Sequence, residues 1–119
     1  MKICAIIVTY NHDNYVLNKS IDSIISQVET VYLYNNSSHK ISPRNKLNIY
    51  GNGINIGIGE AQNILLKIAI DQGFDCALLS DQDTFYPKNY FGNVDLHFSN
   101  NPLAAVICPR WSNLNSKIK

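Results

Sequence analysis

Short apolar runs alternate along the chain with stretches in which apolar residues return every three or four positions. The first run, residues 3–9, is almost continuously apolar, the pattern of a strand buried on both faces. Asp13 or Asn14 can then cap a helix whose Leu17, Ile21, Ile24, Ile25 and Val28 fall on one stripe. Residues 31–34 and 47–50 read as a second strand and a weaker third, separated by a polar, proline-containing loop over 35–45. The clearest helix spans about 59–72, where Ala61, Ile64, Leu65, Ile68 and Ala69 share a face and Gly73 supplies a stop. A fourth strand follows at 76–80. Pro87 then opens a helical pattern carrying Tyr90, Phe91, Val94 and Phe98, and residues 104–108 read as a fifth strand.

Strand and helix alternating in this way predict an α/β fold with a mostly parallel sheet and helices on both faces. Ligands bind such sheets beyond the carboxyl ends of the strands, where the winding reverses. Three polar clusters fall at those ends: Thr9-Tyr10-Asn11, Asn35-Asn36-Ser37-Ser38 and Asp81-Gln82-Asp83.

Composition narrows the functions open to the chain. Its 119 residues are 45% hydrophobic, enough for one compact domain without disulfides or a structural metal. Ten basic and nine acidic residues give a net charge of +1, with the basic residues scattered, which argues against a general nucleic-acid binder. No stretch approaches the roughly twenty apolar residues of a membrane span, and the N-terminus enters a strand pattern directly, so a cytoplasmic protein is expected. Cys4, Cys76 and Cys108 lie far apart in apolar runs and read as buried thiols.

Among the candidate motifs, Asp81-Gln82-Asp83 is the sharpest. Two carboxylates two residues apart just past an apolar strand can share a hard divalent cation, magnesium or manganese, with the oxygens of a diphosphate. The alternative is a polar turn. Tyr10 and Asn11 can stack on and hydrogen-bond a base, or simply end a strand and lead into a helix cap. Asn35 and Asn36 can read a base edge, or form an ordinary turn. The glycine-rich run 51–59 fails the dinucleotide fingerprint: Gln62 and Ile56 stand where a third glycine or alanine belongs, and the run follows the third strand instead of the first. His12, His39 and His97 show no metal-ligand spacing and read as exposed. Arg110 and Trp111 either line the cleft or pack at the domain edge.

Taken together, Ile7-Val8-Thr9-Tyr10-Asn11, Tyr34-Asn35-Asn36-Ser37-Ser38, Asn55-x-Gly57-x-x-x-Ala61-Gln62-Asn63 and Leu79-Ser80-Asp81-Gln82-Asp83 resemble, in order and spacing, the nucleotide-binding half of family 2, GT-A-type glycosyltransferases. The Ala-Gln-Asn and Asp-Gln-Asp versions, with Cys108-Pro109-Arg110, look most like bacterial rhamnosyltransferases of surface-polysaccharide synthesis. The resemblance implies a sheet ordered 3-2-1-4 plus a further strand. It also implies a nucleotide pocket lined by Thr9, Tyr10, Asn11, Asn35, Asn55, Gln62, Asn63 and Asp81, and a Mg or Mn ion at Asp81 and Asp83. The donor would be a nucleotide sugar such as dTDP-rhamnose and the acceptor a glycan or lipid-linked saccharide. Transfer would usually invert the anomeric carbon, at the inner face of the membrane. Asn35 stands where the family usually has an aspartate, and His12 where its rhamnosyltransferase-like members often have proline.

The same family has a second half that binds the acceptor and supplies a carboxylate base. Here Asp95 is the only acidic residue after Asp83, and it falls in a helical pattern, so no general base is identified. Residues 1–119 are therefore expected to be one donor-binding domain, the N-terminal half of a larger enzyme. Binding would survive in it without turnover, and the face left by the missing half would favour self-association. Two alternatives remain: a non-catalytic nucleotide-binding module, or a nucleotidyltransferase. The latter normally has a glycine-rich, basic loop after its first strand, which Thr9-Tyr10-Asn11-His12-Asp13 is not.

Overall fold

The computed structural model of the chain describes residues 1–110. Four strands, β1 (Ile3–Thr9), β2 (Thr30–Asn35), β3 (Leu47–Tyr50) and β4 (Cys76–Ser80), form one parallel sheet in the order β3-β2-β1-β4. Three helices accompany them: α1 (Asn14–Ile25), α2 (Ile58–Asp71) and α3 (Val94–Asn100).

Why helices cover both faces follows from β1. Side chains alternate along a strand, so a run apolar at every position presents a hydrophobic surface on each side. Ile3, Ala5 and Ile7 pack with Leu17, Ile21 and Ile24 of α1, while Cys4 and Ile6 pack with Ala61, Leu65 and Ala69 of α2. Each fully buried Leu or Ile contributes roughly 1.5–3 kcal/mol.

Local signals set the helix ends. Asp13 accepts a hydrogen bond from the Val16 N–H at 2.9 Å, capping α1 as its position suggested. At the end of α2, Gly73 takes φ +81°, its N–H donates to the Ile70 carbonyl and that of Phe74 to the Ala69 carbonyl, both at 3.0 Å. This pair of hydrogen bonds closes the helix in a Schellman motif.

After β4 the chain departs from the sequence expectation. Residues 88–93 are turns, Pro87 lies in irregular chain, and only Val94–Asn100 is helical. The cause lies in α1 and the turn that ends it, whose Ser20, Ser23 and Gln27 face this segment at one-turn and two-turn spacing. Ser20 donates to the Thr84 carbonyl at 2.6 Å, and Ser23 accepts from the Tyr86 N–H at 3.0 Å. Gln27 donates to the Pro87 carbonyl and accepts from the Tyr90 N–H. With its backbone groups satisfied by side chains, the segment has no need of its own helix. Tyr86, Tyr90 and Phe91 meanwhile pack against the α1 core.

Two further expectations fail. Residues 104–108 form no strand: the run lies between Pro102 and Pro109, pairs with no strand, and leaves Val106 76% exposed. Cys108 in that run is exposed and Cys76 half-buried, so of the three thiols only Cys4 is fully buried. None of the described helices is long and apolar enough to cross a membrane.

Candidate functional site

The winding of the sheet reverses at β1, with β2 and β3 laid down on one side and β4 on the other. Thr9 is in register with Asn35 of β2, whereas β4 pairs with β1 only as far as Ile7 and Ser80. Beyond those residues β1 and β4 part, opening the edge at which a parallel sheet takes its ligands.

All three polar clusters lie on this edge and are tied together. Thr9 is fully buried and its hydroxyl donates to Asn35 Oδ1 at 3.2 Å, while the Asn36 N–H donates to the Thr9 carbonyl at 2.8 Å. Tyr10 presents a ring that is 55% exposed. Asn11 follows in the left-handed region, φ +46°, a conformation that Asn tolerates better than most residues. Its N–H donates to the Ser37 hydroxyl at 3.1 Å. From β4, Gln82 reaches across to Tyr10: its Oε1 accepts from the Tyr10 N–H at 2.9 Å, and its Nε2 donates to the Tyr10 carbonyl at 3.4 Å. The Asp81-Gln82-Asp83 turn is thus set against Thr9-Tyr10-Asn11.

The amides of the β2 end are already engaged. Asn35 Oδ1 receives Thr9 Oγ1, the Ser37 N–H and Ser37 Oγ, all within 3.2 Å, and its Nδ2 donates to the His39 carbonyl at 2.6 Å. A carboxamide has two lone pairs and two N–H donors, so what remains to Asn35 is a single N–H. Asn36 is buried; its Oδ1 accepts from the Ile56 N–H and its Nδ2 donates to the Gly57 carbonyl, each at 3.2 Å. It braces the segment leading into α2. In that segment Asn55 Oδ1 accepts from the Gly57 N–H at 2.8 Å. Gln62 is half-buried near the start of α2, and Asn63 lies on the outer side of that helix beside Glu60, Ile64 and Lys67.

His12 corrects the sequence reading. It is buried, 4% exposed, because the 35–40 loop folds over it: His39 packs edge-on at 5.5 Å between ring centroids and donates through Nδ1 to the His12 carbonyl at 3.2 Å. His12 Nε2 pairs with Asn14 Oδ1 at 3.0 Å. Arg110 is exposed, and Trp111 lies outside the described residues.

Asp81 and Asp83 are exposed and join no ion pair among the described residues, whose salt bridges are Arg44–Asp22 and Lys67–Asp71. Nor do the described residues gather three or more His, Cys, Asp or Glu side chains in a metal-binding group. Two free carboxylates do not make an all-protein cage. They do fit a hard cation that keeps its waters and takes its remaining ligands from phosphate oxygens, as magnesium commonly does. Nearby, burial pushes the Tyr86 phenol above its ordinary pKa, against the lowering effect of a hydrogen bond with Ser80 and with Asp81's charge adding to the rise. Tyr86 therefore stays protonated at neutral pH.

A crystal structure of residues 1–349 of TarS from S. aureus matches this arrangement, with a TM-score of 0.58 and 18% sequence identity. The likeness shows a glycosyltransferase-like fold. It covers 92% of this chain and 39% of the TarS chain, so the chain spans well under half of that protein's length. No family model matches the sequence, and no curated protein matches it by sequence.

The motif pattern points to Asp81 and Asp83 but not to the residues that brace the edge. Gln82, the spacer of its motif, ties that turn to Tyr10, and Asn36, readable as a base contact or a turn, braces the segment before α2. The spacing of Ser20, Ser23 and Gln27, beside the apolar stripe of α1, was the available signal for a polar seam. Two surface hollows, one along the outer side of α2 and one between α1 and residues 86–89, lie away from the polar edge.

Proposed function

We propose that this chain binds the nucleotide-sugar donor of a family 2-type glycosyltransferase at the carboxyl edge of its sheet. The observation that carries the reading is the pairing of Gln82 with Tyr10, which sets a two-carboxylate turn beside an aromatic and amide cluster where the winding reverses. Asp81 and Asp83 would hold Mg or Mn together with the donor's diphosphate. Such an ion neutralises phosphate charge and stabilises a departing nucleoside diphosphate.

The chain's own residues supply binding and orientation. Thr9 fixes the end of β1 against Asn35, Tyr10 offers a stacking face, and Asn11 and Asn55 border the nucleoside with Gln62 at the start of α2, whereas Asn63, on the outer side of that helix, takes no part. Asn35, with one N–H left, donates to a base carbonyl, where an aspartate at that position would accept. A donor such as dTDP-rhamnose and a glycan or lipid-linked saccharide acceptor are the finer form of this reading. The identity of the sugar rests on the sequence resemblance alone.

Calorimetry with dTDP and UDP tests the reading. Binding should appear with Mn2+, weaken at least tenfold on chelation, and lose its metal dependence in Asp83→Ala, because one carboxylate holds a hydrated cation poorly. Equal affinity with and without metal, in both proteins, contradicts the role given to the two carboxylates.

A further inference from the structure

The β1–β4 ladder ends at Ile7 and Ser80, yet the segments that follow the two strands are tied again at Tyr10 and Gln82. What connects them there is the Gln82 side chain, whose carboxamide is chemically a peptide group. It takes the Tyr10 N–H on its oxygen at 2.9 Å and offers its own N–H to the Tyr10 carbonyl at 3.4 Å, filling the acceptor and donor roles that a neighbouring strand's peptide groups would otherwise fill. A side chain replacing a backbone spaces the two segments by its own reach.

The turn that carries Gln82 is held at both sides. Ser80 before it is buried and bonds the Asp81 carbonyl, and the Thr84 carbonyl after it accepts from Ser20 of α1 at 2.6 Å. Any displacement of the Tyr10 backbone is therefore transmitted to Asp81 and Asp83, not absorbed by a loose loop.

We infer that Gln82 is a positioning residue that couples the metal-binding turn to the nucleoside loop, its carboxamide serving as a surrogate ladder pair with Tyr10. The inference rests on the function proposed above and goes beyond it by assigning a role to the spacer of the Asp-x-Asp motif. Loss of the carboxamide frees the two loops to move independently, so metal and nucleoside cease to favour one another's binding.

Two measurements on the 119-residue chain separate this role from the function itself. The first needs no ligand. Gln82→Leu, close in size but without hydrogen bonds, should speed amide exchange at Tyr10 by about tenfold or more while the Cys4 and Ile6 amides of β1 keep their protection. The second compares affinity for UDP or dTDP, whichever the wild type binds more tightly, with Mn2+ and with chelator: the enhancement that Mn2+ gives the wild type should fall about tenfold in Gln82→Leu, Mn2+ binding in the absence of nucleotide being unchanged. Gln82→Asn, with the same carboxamide on a shorter arm, should behave likewise and serves if the Leu variant does not fold. Unchanged exchange at Tyr10 refutes the surrogate pair. Faster exchange with an undiminished Mn2+ enhancement refutes the positioning role and leaves the proposed function standing. A wild-type chain that binds neither UDP nor dTDP with Mn2+ overturns the proposed function, and the coupling with it.

Discussion

Replacing Gly51 by alanine should destabilise the chain more than the same change two residues on, because only Gly51 lies against another backbone. Both glycines have left-handed φ, +109° at Gly51 and +86° at Gly53. A Cβ at Gly51 would sit 2.4 Å from the Asn35 carbonyl oxygen and 3.2 Å from the Asn35 C and N atoms, whereas one at Gly53 meets nothing within 4 Å. Gly53→Ala therefore bears only the conformational term, ~1–2 kcal/mol. Gly51→Ala adds an overlap that a main-chain atom must relieve, another ~1–3 kcal/mol by analogy with overpacked cores, for a total of roughly 2–5 kcal/mol. Against a typical domain stability of ~5–15 kcal/mol that is a large share. The movement falls on Asn35, which holds Thr9, so Gly51→Ala should also weaken nucleotide binding while Gly53→Ala leaves it nearly intact. Urea unfolding followed by circular dichroism gives both stabilities. Losses equal to within ~0.5 kcal/mol would refute the claim that close approach to Asn35, and not φ alone, demands glycine at position 51.

Two other outcomes follow from the packing. Gln27→Leu removes the donor to the Pro87 carbonyl and the acceptor of the Tyr90 N–H; stability should fall by about 1–3 kcal/mol, with faster proteolysis within residues 84–93, and cleavage there at the wild-type rate would show that Gln27 does not hold that segment. Burial, aided by the neighbouring Cys76, raises the Cys4 thiol from 9.0 to about 11, so an unfolded chain loses this proton at lower pH than the folded one. Its contribution to stability is then whole below pH 9 and declines as the pH rises from 9 to 11. Cys4→Ala should flatten that decline, and at pH 8 a thiol reagent should modify Cys108 rapidly and Cys4 only after unfolding; rapid modification of native Cys4 would contradict the burial.

What was legible in the sequence was whatever a local pattern encodes. The unbroken apolar run of β1 and the spacing of Ala61, Leu65 and Ala69 gave a doubly covered parallel sheet, and Asp13 and Gly73 marked helix ends that the structure keeps. Order 3-2-1-4, expected from the resemblance, is the observed order. Misreadings came where tertiary partners override a pattern. Tyr90, Phe91, Val94 and Phe98 have helical spacing, but Gln27 takes the Pro87 carbonyl and the Tyr90 N–H that a helix at 87–93 would have used. The apolar character of 104–108 describes a strand's side chains without supplying a neighbour to pair with. His12 looked exposed because nothing local announces that His39 will cover it. In the same way, a sequence shows that Gln82 and Asn36 carry amides but not which distant peptide groups those amides will bind.

Whether a metal shared with a diphosphate sits on the Asp81-Gln82-Asp83 turn decides the functional account. Crystals of the chain grown with Mn2+ and UDP or dTDP allow the ion to be located by its anomalous scattering, independently of any model of the nucleotide. The account predicts one strong peak within coordination distance of the Asp81 and Asp83 carboxylates, with the diphosphate on its far side and the base beside Tyr10. A bound nucleotide at that edge with no manganese between it and the two aspartates, or manganese bound elsewhere on the chain, would contradict it.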